Sequence, residues 1–266
     1  MEKDLKTLCM DAIVLIKETG AFIKNERALN NLSVESKGKN DFVTHVDKGS
    51  EERLVKGLKK LLPECGFIAE ESTSTEKGDR YNWIIDPIDG TTNFIHGLSP
   101  YAISVALMDN TEVVIGIVYE LGLGECFYSY KGGAAFLDGQ EIHVSNRKSI
   151  SDSLIATGFP YTQYQRIDSF MKTLDYFMRK SHGLRRLGSA ATDLAYVACG
   201  RFDGFYEYNL SPWDVAAGAF IVQQAGGMVS DFSGGSNYIF GKEIISANSH
   251  VFDEFLSDVK LFMNEK

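Results

Sequence analysis

The chain has no basic block. Its 27 lysines and arginines stand against 36 aspartates and glutamates over 266 residues, a formal net charge of −9. Nucleic acid is therefore not expected as a primary ligand. Cysteine is scarce as well. Cys9, Cys65, Cys126 and Cys199 form no CxxC pair, fit no zinc spacing and read as scattered, mostly buried thiols of a reducing compartment. No apolar stretch approaches the ~20 residues needed to span a bilayer. The charged start, Met1-Glu2-Lys3-Asp4, carries no apolar run of the signal-peptide kind. A cytoplasmic protein with no membrane partner is the expectation. The five histidines, His45, His96, His143, His182 and His250, are scattered and receive no ligand role.

What is present is an ordinary globular composition, 44% hydrophobic, enough for a sizeable core. No repeat, low-complexity segment or linker interrupts it. The expectation is a single domain over residues 1–266, with a soft lobe boundary near 147–152. Residues 1–148 read as α+β and 149–266 as α/β. Helical spacing over residues 4–24 (Leu5, Leu8, Cys9, Ala12, Ile13, Leu15, Ile16) predicts a core-covering helix. A polar stretch, 33–40, reads as a mobile hairpin or loop. A second helix is expected from Asp47 to Leu62, stopped by Pro63, with Asp47 at or near its N-cap. Three antiparallel strands follow over residues 102–130, then a hairpin at Asp138-Gly139. The second half alternates: helix 169–180, strand 184–187, helix 190–199, strand 204–208, helix 213–225, strands 228–231 and 244–247, helix 251–263.

Chemistry concentrates at Asp86-Pro87-Ile88-Asp89-Gly90-Thr91, directly after the strand-like run Tyr81, Trp83, Ile84, Ile85. Two carboxylates held at a strand's end accept cations or protons. Thr91 opens a short helix, whose free N–H groups favour a phosphate. Metal ligands thus stand beside an anion cradle, a combination suited to metal-assisted phosphate chemistry. A capped turn is the competing reading, because Asp-Pro and Asp-Gly are ordinary turn formers. Other acids bear on the choice. Glu70 and Glu71 end the apolar strand Phe67-Ile68-Ala69, and Asp214 begins a helix beside Ala216, Ala217 and Gly218. Each also has a bland reading, as a solvated acid or an N-cap. Arg185 and Arg186 read as a solvated strand end.

In order, these segments resemble the inositol monophosphatase family of lithium-sensitive, Mg²⁺-dependent sugar phosphatases. The stretch Trp83-Ile84-Ile85-Asp86-Pro87-Ile88-Asp89-Gly90-Thr91-Thr92-Asn93-Phe94 carries the first match. The second is Trp213-Asp214-Val215-Ala216-Ala217-Gly218, continuing to Gln224-Ala225-Gly226-Gly227. Shorter matches are Asp41-Phe42-Val43-Thr44 with Asp47, Ile68-Ala69-Glu70-Glu71-Ser72 and Gly188-Ser189-Ala190, with Lys37 at a loop position. The turn from Tyr128 to Phe136 departs slightly from the family's Gly-x-Gly-Ala-Phe pattern, which touches the hairpin and not the chemistry.

The resemblance implies a layered αβαβα sandwich, as a homodimer, with Mg²⁺ as cofactor. Glu70, Asp86 and the carbonyl of Ile88 would hold one ion, and Asp86, Asp89 and Asp214 a second. Glu70 would also support a weaker third ion, and Mn²⁺ could substitute. Thr91 and Asp47 would orient and deprotonate the attacking water, with Glu70 in the catalytic set. The N–H groups of Gly90 and Thr91, beside Asp89, would bind phosphate. Glu207, Asp214 and Gly188-Ser189-Ala190 would contact substrate hydroxyls. An oxygen-only ligand set suits Mg²⁺ or Mn²⁺ rather than zinc.

The implied activity is hydrolysis of an inositol monophosphate to inositol and phosphate. Fructose 1,6-bisphosphate, 3′-phosphoadenosine 5′-phosphate and histidinol phosphate are alternative substrates. Thr92, where the nucleotide branch more often has lysine, and Glu207, an acceptor for ring hydroxyls, favour a polyol. A non-catalytic scaffold is the alternative of a different class, although none of Glu70, Asp86, Asp89, Thr91 and Asp214 is lost.

Overall fold

Asp4 starts the chain's first helix by accepting the N–H of Thr7 at 3.1 Å. The helix, α1 (Leu5–Ala28), buries Leu8, Cys9, Ala12, Ile13, Ile16, Gly20 and Ile23 on one face. It runs four residues past the expected end, to Ala28, where the Leu29 N–H closes the last turn on the Asn25 carbonyl. The computed structural model describes residues 4–29, 33–38, 41–74, 76–161 and 164–263. The polar stretch after α1 is a short antiparallel ladder, β1 (Val34–Gly38) with β2 (Asp41–Thr44). The side chain of Lys37 lies outside the described residues. The second helix, α2 (His45–Leu61), begins two residues before the expected Asp47. Its N-cap is Thr44, and Asp47 stands three residues inside, closing a capping box with the Thr44 N–H and hydroxyl.

Beyond that ladder, the first half builds one seven-stranded sheet. Its strands are β3 (Gly66–Ala69), β4 (Tyr81–Asp89), β5 (Ala102–Asp109), β6 (Glu112–Glu120), β7 (Glu125–Tyr130), β8 (Ala135–Leu137) and β9 (Gln140–Ile142), adjacent in chain order. Within it β3 and β4 run parallel; the later neighbours are antiparallel, and from β5 onward short turns join them. A short helix, α3 (Thr91–His96), joins β4 to β5.

The second half supplies β10 (Leu154–Thr157), α4 (Ile167–Lys180), β11 (Gly183–Arg185), α5 (Ala190–Ala198), β12 (Gly204–Tyr208), α6 (Pro212–Gln224), β13 (Gly227–Ser230), β14 (Glu243–Asn248) and α7 (Phe252–Met263). Its sheet runs β11-β10-β12-β14-β13. Parallel pairs flank β10, and β14 is antiparallel to both neighbours. Two differences from the sequence reading matter. The strand β10 was not anticipated, because four residues give too short a pattern. The expected strand 184–187 stops at Arg185, which frees Arg186 and Leu187 from the ladder.

Three apolar clusters bind five layers. Leu8, Ile16, Leu54, Trp83 and Ile103 fill the space between α1–α2 and the first sheet. Ala191, Leu194, Val215, Phe205 and Phe127 fill the space around α5 and α6, which lie between the two sheets. Phe170, Phe177, Tyr206 and Phe255 lie under α4 and α7 on the outer face of the second sheet. The layer order is therefore αβαβα, as the resemblance implied. Nearly every residue of α5 and a continuous run of α6 from Val215 to Val222 are buried, which marks helices covered on both sides. Their small residues, Ala190, Ala191, Ala195 and Ala198 on α5 and Ala216, Ala217 and Ala219 on α6, are buried and let both sheets approach closely.

Candidate active site

A regular strand would send Asp86 and Asp89 to opposite faces, since side chains alternate. The β4–β5 register prevents this. Asp86 pairs with Ser104 and Asp89 with Ala102, so three steps on β4 match two on β5. The extra residue is a bulge, and it contains Pro87, which has no N–H for the ladder. Carboxylate oxygens of Asp86, Asp89 and Asp214 then converge within 4.8 Å of one another. Asp86 also accepts the N–H of Ile88 at 2.9 Å.

Asp214 arrives from the start of α6. Ser211 is the N-cap, and Asp214 accepts its N–H at 2.6 Å, again three residues inside rather than at the cap. Glu70 follows β3, its N–H tied to the Ile85 carbonyl at 3.2 Å. Behind it lies a support the sequence did not reveal. Buried Glu51 of α2 accepts the N–H groups of Glu71 (2.7 Å) and Thr73 (2.8 Å) and the Thr73 hydroxyl (2.8 Å). Glu70 thus faces the cleft, and the Glu71 N–H serves the loop that presents it.

Gly90 turns the chain into α3 with φ +96°, a conformation suited to glycine. A side chain there would also crowd the carbonyls of Gly188 and Pro100. Thr91 opens α3, and its hydroxyl lies 3.0 Å from the Ile88 carbonyl and 3.2 Å from the Asp47 carboxylate. Asp47 is fully buried and also accepts the Thr44 hydroxyl. Asn93 holds this helix to the second half by donating to the carbonyls of Pro100 and Leu187, each at 2.8 Å.

The opposite wall comes from the second half. Gly188, Ser189 and Ala190 enter α5 there, with Glu207 on β12. The Ser189 hydroxyl donates to Asp89 at 2.7 Å, and the Ala191 N–H reaches the same oxygen at 2.7 Å. Ser189 therefore spends its hydroxyl on Asp89. The whole forms a cleft of about 410 Å³ lined by Glu70, Asp86, Ile88, Asp89, Gly90, Thr91, Gly188, Ser189, Ala190, Glu207 and Asp214, with Asp47 one step behind Thr91. Arg186, Phe159 and Tyr161 also line it. The solvated strand end expected at Arg185–Arg186 holds for Arg185 only, since β11 ends there and the chain turns inward.

The carboxyls are held above their ordinary range. Burial raises Asp86 first, and the charges of Glu70, Asp89 and Asp214 add to it. Burial, then Asp89, raises Asp214. Burial carries Asp89 to about 6 against the hydrogen bonds of Ser189 and Ala191, and Asp47 is raised by burial too. Glu207 reaches about 8, again by burial, with Arg186 opposing. Like charges crowd Asp86 and Asp214, and a bound cation would offset them. The oxygen-only donors of Glu70, Asp86, Asp89 and Asp214 fit a hard divalent cation, and no histidine or cysteine lines the described cleft.

The comparisons agree with this architecture. A putative Nus factor SuhB of Neisseria meningitidis serogroup B is 44% identical over 234 residues, covering 86% of this chain and 90% of that one. An inositol-1-monophosphatase of Mesorhizobium japonicum is 39% identical over 233 residues, covering 87% and 88%. The solved IMPase of Thermotoga maritima superposes with a TM-score of 0.86 at 38% identity, covering 95% of this chain and 96% of that one. The profile of the inositol monophosphatase family matches residues 4–260, a span from α1 into α7 that includes both walls of the cleft. This chain belongs to the inositol monophosphatase family.

Proposed function

We propose that the protein is a Mg²⁺-dependent phosphomonoesterase that hydrolyses inositol 1-phosphate, or a closely similar polyol phosphate, to the free polyol and phosphate. The observation that carries this reading is the convergence of Asp86, Asp89 and Asp214 beside the Thr91–Asp47 pair. Glu70, Asp86 and the Ile88 carbonyl would hold one ion, and Asp86, Asp89 and Asp214 another, with Mn²⁺ able to replace Mg²⁺. Such ions supply Lewis acidity to a phosphoryl oxygen and neutralise charge developing on the leaving oxygen.

The chain's own residues do the remaining work. Thr91 accepts a proton from the attacking water as its own proton moves toward the Asp47 carboxylate, 3.2 Å away. Burial raises Asp47, which makes it a better acceptor than a solvated aspartate. The N–H groups of Gly90 and Thr91, at the start of α3, receive phosphate oxygens. Glu207, Asp214 and the Gly188–Ala190 segment receive the polyol. Positioning and charge neutralisation carry most of phosphoryl transfer, so no covalent intermediate is required. A cytoplasmic homodimer inhibited by Li⁺ completes the reading on the family resemblance. No helix among the described residues is long and apolar enough to cross a membrane.

Phosphate release in Mg²⁺ from inositol 1-phosphate, fructose 1,6-bisphosphate, 3′-phosphoadenosine 5′-phosphate and histidinol phosphate tests the substrate. A kcat/KM preference for inositol 1-phosphate is expected. Preference for another substrate moves the specificity and keeps the metal site.

The relatives named Nus factor favour a second reading, in which this chain also serves as a Nus factor. An Asp89→Asn variant that still supports that function in cells, while hydrolysing nothing, would separate the two roles.

A further inference from the structure

An arginine that anchors a fold normally spends its five donors on carbonyls or carboxylates. Arg186 does not. It makes no hydrogen bond among the described residues, and its Nε is buried without a partner. Aromatic rings hold its guanidinium instead, 5.3 Å from the Phe159 centroid and 5.3 Å from that of Tyr161. All three residues line the cleft.

Glu207 lines the same wall, is 7% exposed, and its side chain makes no hydrogen bond among the described residues. Room for it is made by Gly158, where even a methyl group would run into its carboxylate. The charge of Arg186 acts on Glu207, Asp89 and Asp193. Asp193 is fully buried, with one carboxylate oxygen also unpartnered. The wall thus pairs unspent donors with unspent acceptors, and buried polar groups of this kind cost stability unless a ligand satisfies them.

We propose that Arg186 and Glu207 form a diol clamp, Arg186 donating to one substrate hydroxyl and Glu207 accepting from its neighbour. This rests on the polyol-phosphate reading and sharpens it: the preferred leaving group is an alcohol bearing two adjacent free hydroxyls. A lone carboxylate would accept from any hydroxyl. A donor–acceptor pair selects a diol, and a substrate without one leaves both groups unpaired.

The test measures kcat and KM for wild type, Arg186→Ala, Arg186→Lys, Glu207→Ala and the Arg186→Ala/Glu207→Ala double variant. Substrates are inositol 1-phosphate and p-nitrophenyl phosphate, which has no hydroxyl to clamp. Arg186→Ala is expected to raise KM for inositol 1-phosphate about 10-fold or more and to change kcat/KM for the aryl ester less than about 3-fold. Added to Glu207→Ala, it should cost less than about 3-fold further, because the clamp works as a unit. Arg186→Lys keeps a donor and the charge, and should recover part of the KM even if the alanine variant folds poorly. Equal losses on both substrates, or full additivity with Glu207→Ala, would overturn the clamp and leave Arg186 a structural cation. If wild type cleaves the aryl ester and no polyol phosphate, the substrate reading fails and takes the clamp with it. If it cleaves the polyol phosphate and the KM of Arg186→Ala is unmoved, the clamp alone fails.

Discussion

The Ser189 hydroxyl donates to the Asp89 carboxylate across 2.7 Å of space and 100 residues of sequence. This bond joins the end of β4 to the start of α5, so the two halves of the chain set the orientation of one carboxylate together. Groups that orient metal ligands typically affect metal affinity by 10–100-fold. Ser189→Ala should therefore raise the Mg²⁺ concentration for half-maximal activity about 10-fold, with a smaller fall in kcat at saturating Mg²⁺. A Mg²⁺ titration of phosphate release checks it. An unchanged midpoint would mean that the Ala191 N–H, on the same oxygen, is sufficient.

Asp89→Asn should abolish turnover and leave the fold intact. The amide keeps the shape but supplies no charge to a cation. Removing one of several crowded acids also relieves repulsion on Asp86 and Asp214. The metal-free variant should thus melt at the wild-type temperature or above it. Circular dichroism melts beside activity assays decide the matter. Retained activity would remove Asp89 from the ligand set.

Stability of the metal-free protein should fall as pH rises. Asp86, Asp89 and Asp214 have folded pKa values above their ordinary carboxylate range. The unfolded chain therefore ionises first, and the folded state pays to follow. For Asp89 the loss begins near the ordinary value of 3.8 and is complete above about 6. A melting curve in chelator should show a higher Tm near pH 5 than near pH 8. Added Mg²⁺ should raise Tm more at pH 8, since it binds the ionised carboxylates. A Tm that rises with pH in chelator would contradict the crowding.

Glu51→Ala should destabilise the protein by roughly 2–4 kcal/mol, because three donors of the loop that follows Glu70 lose their acceptor. Activity at saturating Mg²⁺ should fall as well, with Glu70 less firmly held. Chemical denaturation and kcat measure the two effects separately.

Much of this was legible in the sequence because the chemistry sits in local motifs. Asp86, Asp89, Gly90 and Thr91 share one turn, and the helix opened by Trp213-Asp214 announces itself by its small residues. Asp47 and Asp214 stand at the third helical position rather than at the cap itself. Aspartate suits both the cap and the third helical position, and only the partner's backbone N–H distinguishes them. Arg186, Asp193 and Glu51 were missed for a different reason. Nothing nearby in sequence marks them, and their roles depend on Phe159, Glu207 and Thr73, which only the fold brings close. The same holds for the bulge at Pro87. The sequence shows two aspartates three apart but not the slip in register that turns both to one side.

The central claim is that the acidic cluster is a divalent-cation site for phosphate-ester hydrolysis. The most direct measurement is phosphate release from inositol 1-phosphate by protein stripped with chelator and titrated with Mg²⁺. The account predicts no turnover without Mg²⁺ and saturable recovery in wild type, absent in Asp89→Asn. Full turnover in chelator, or none at any Mg²⁺ concentration, would contradict it.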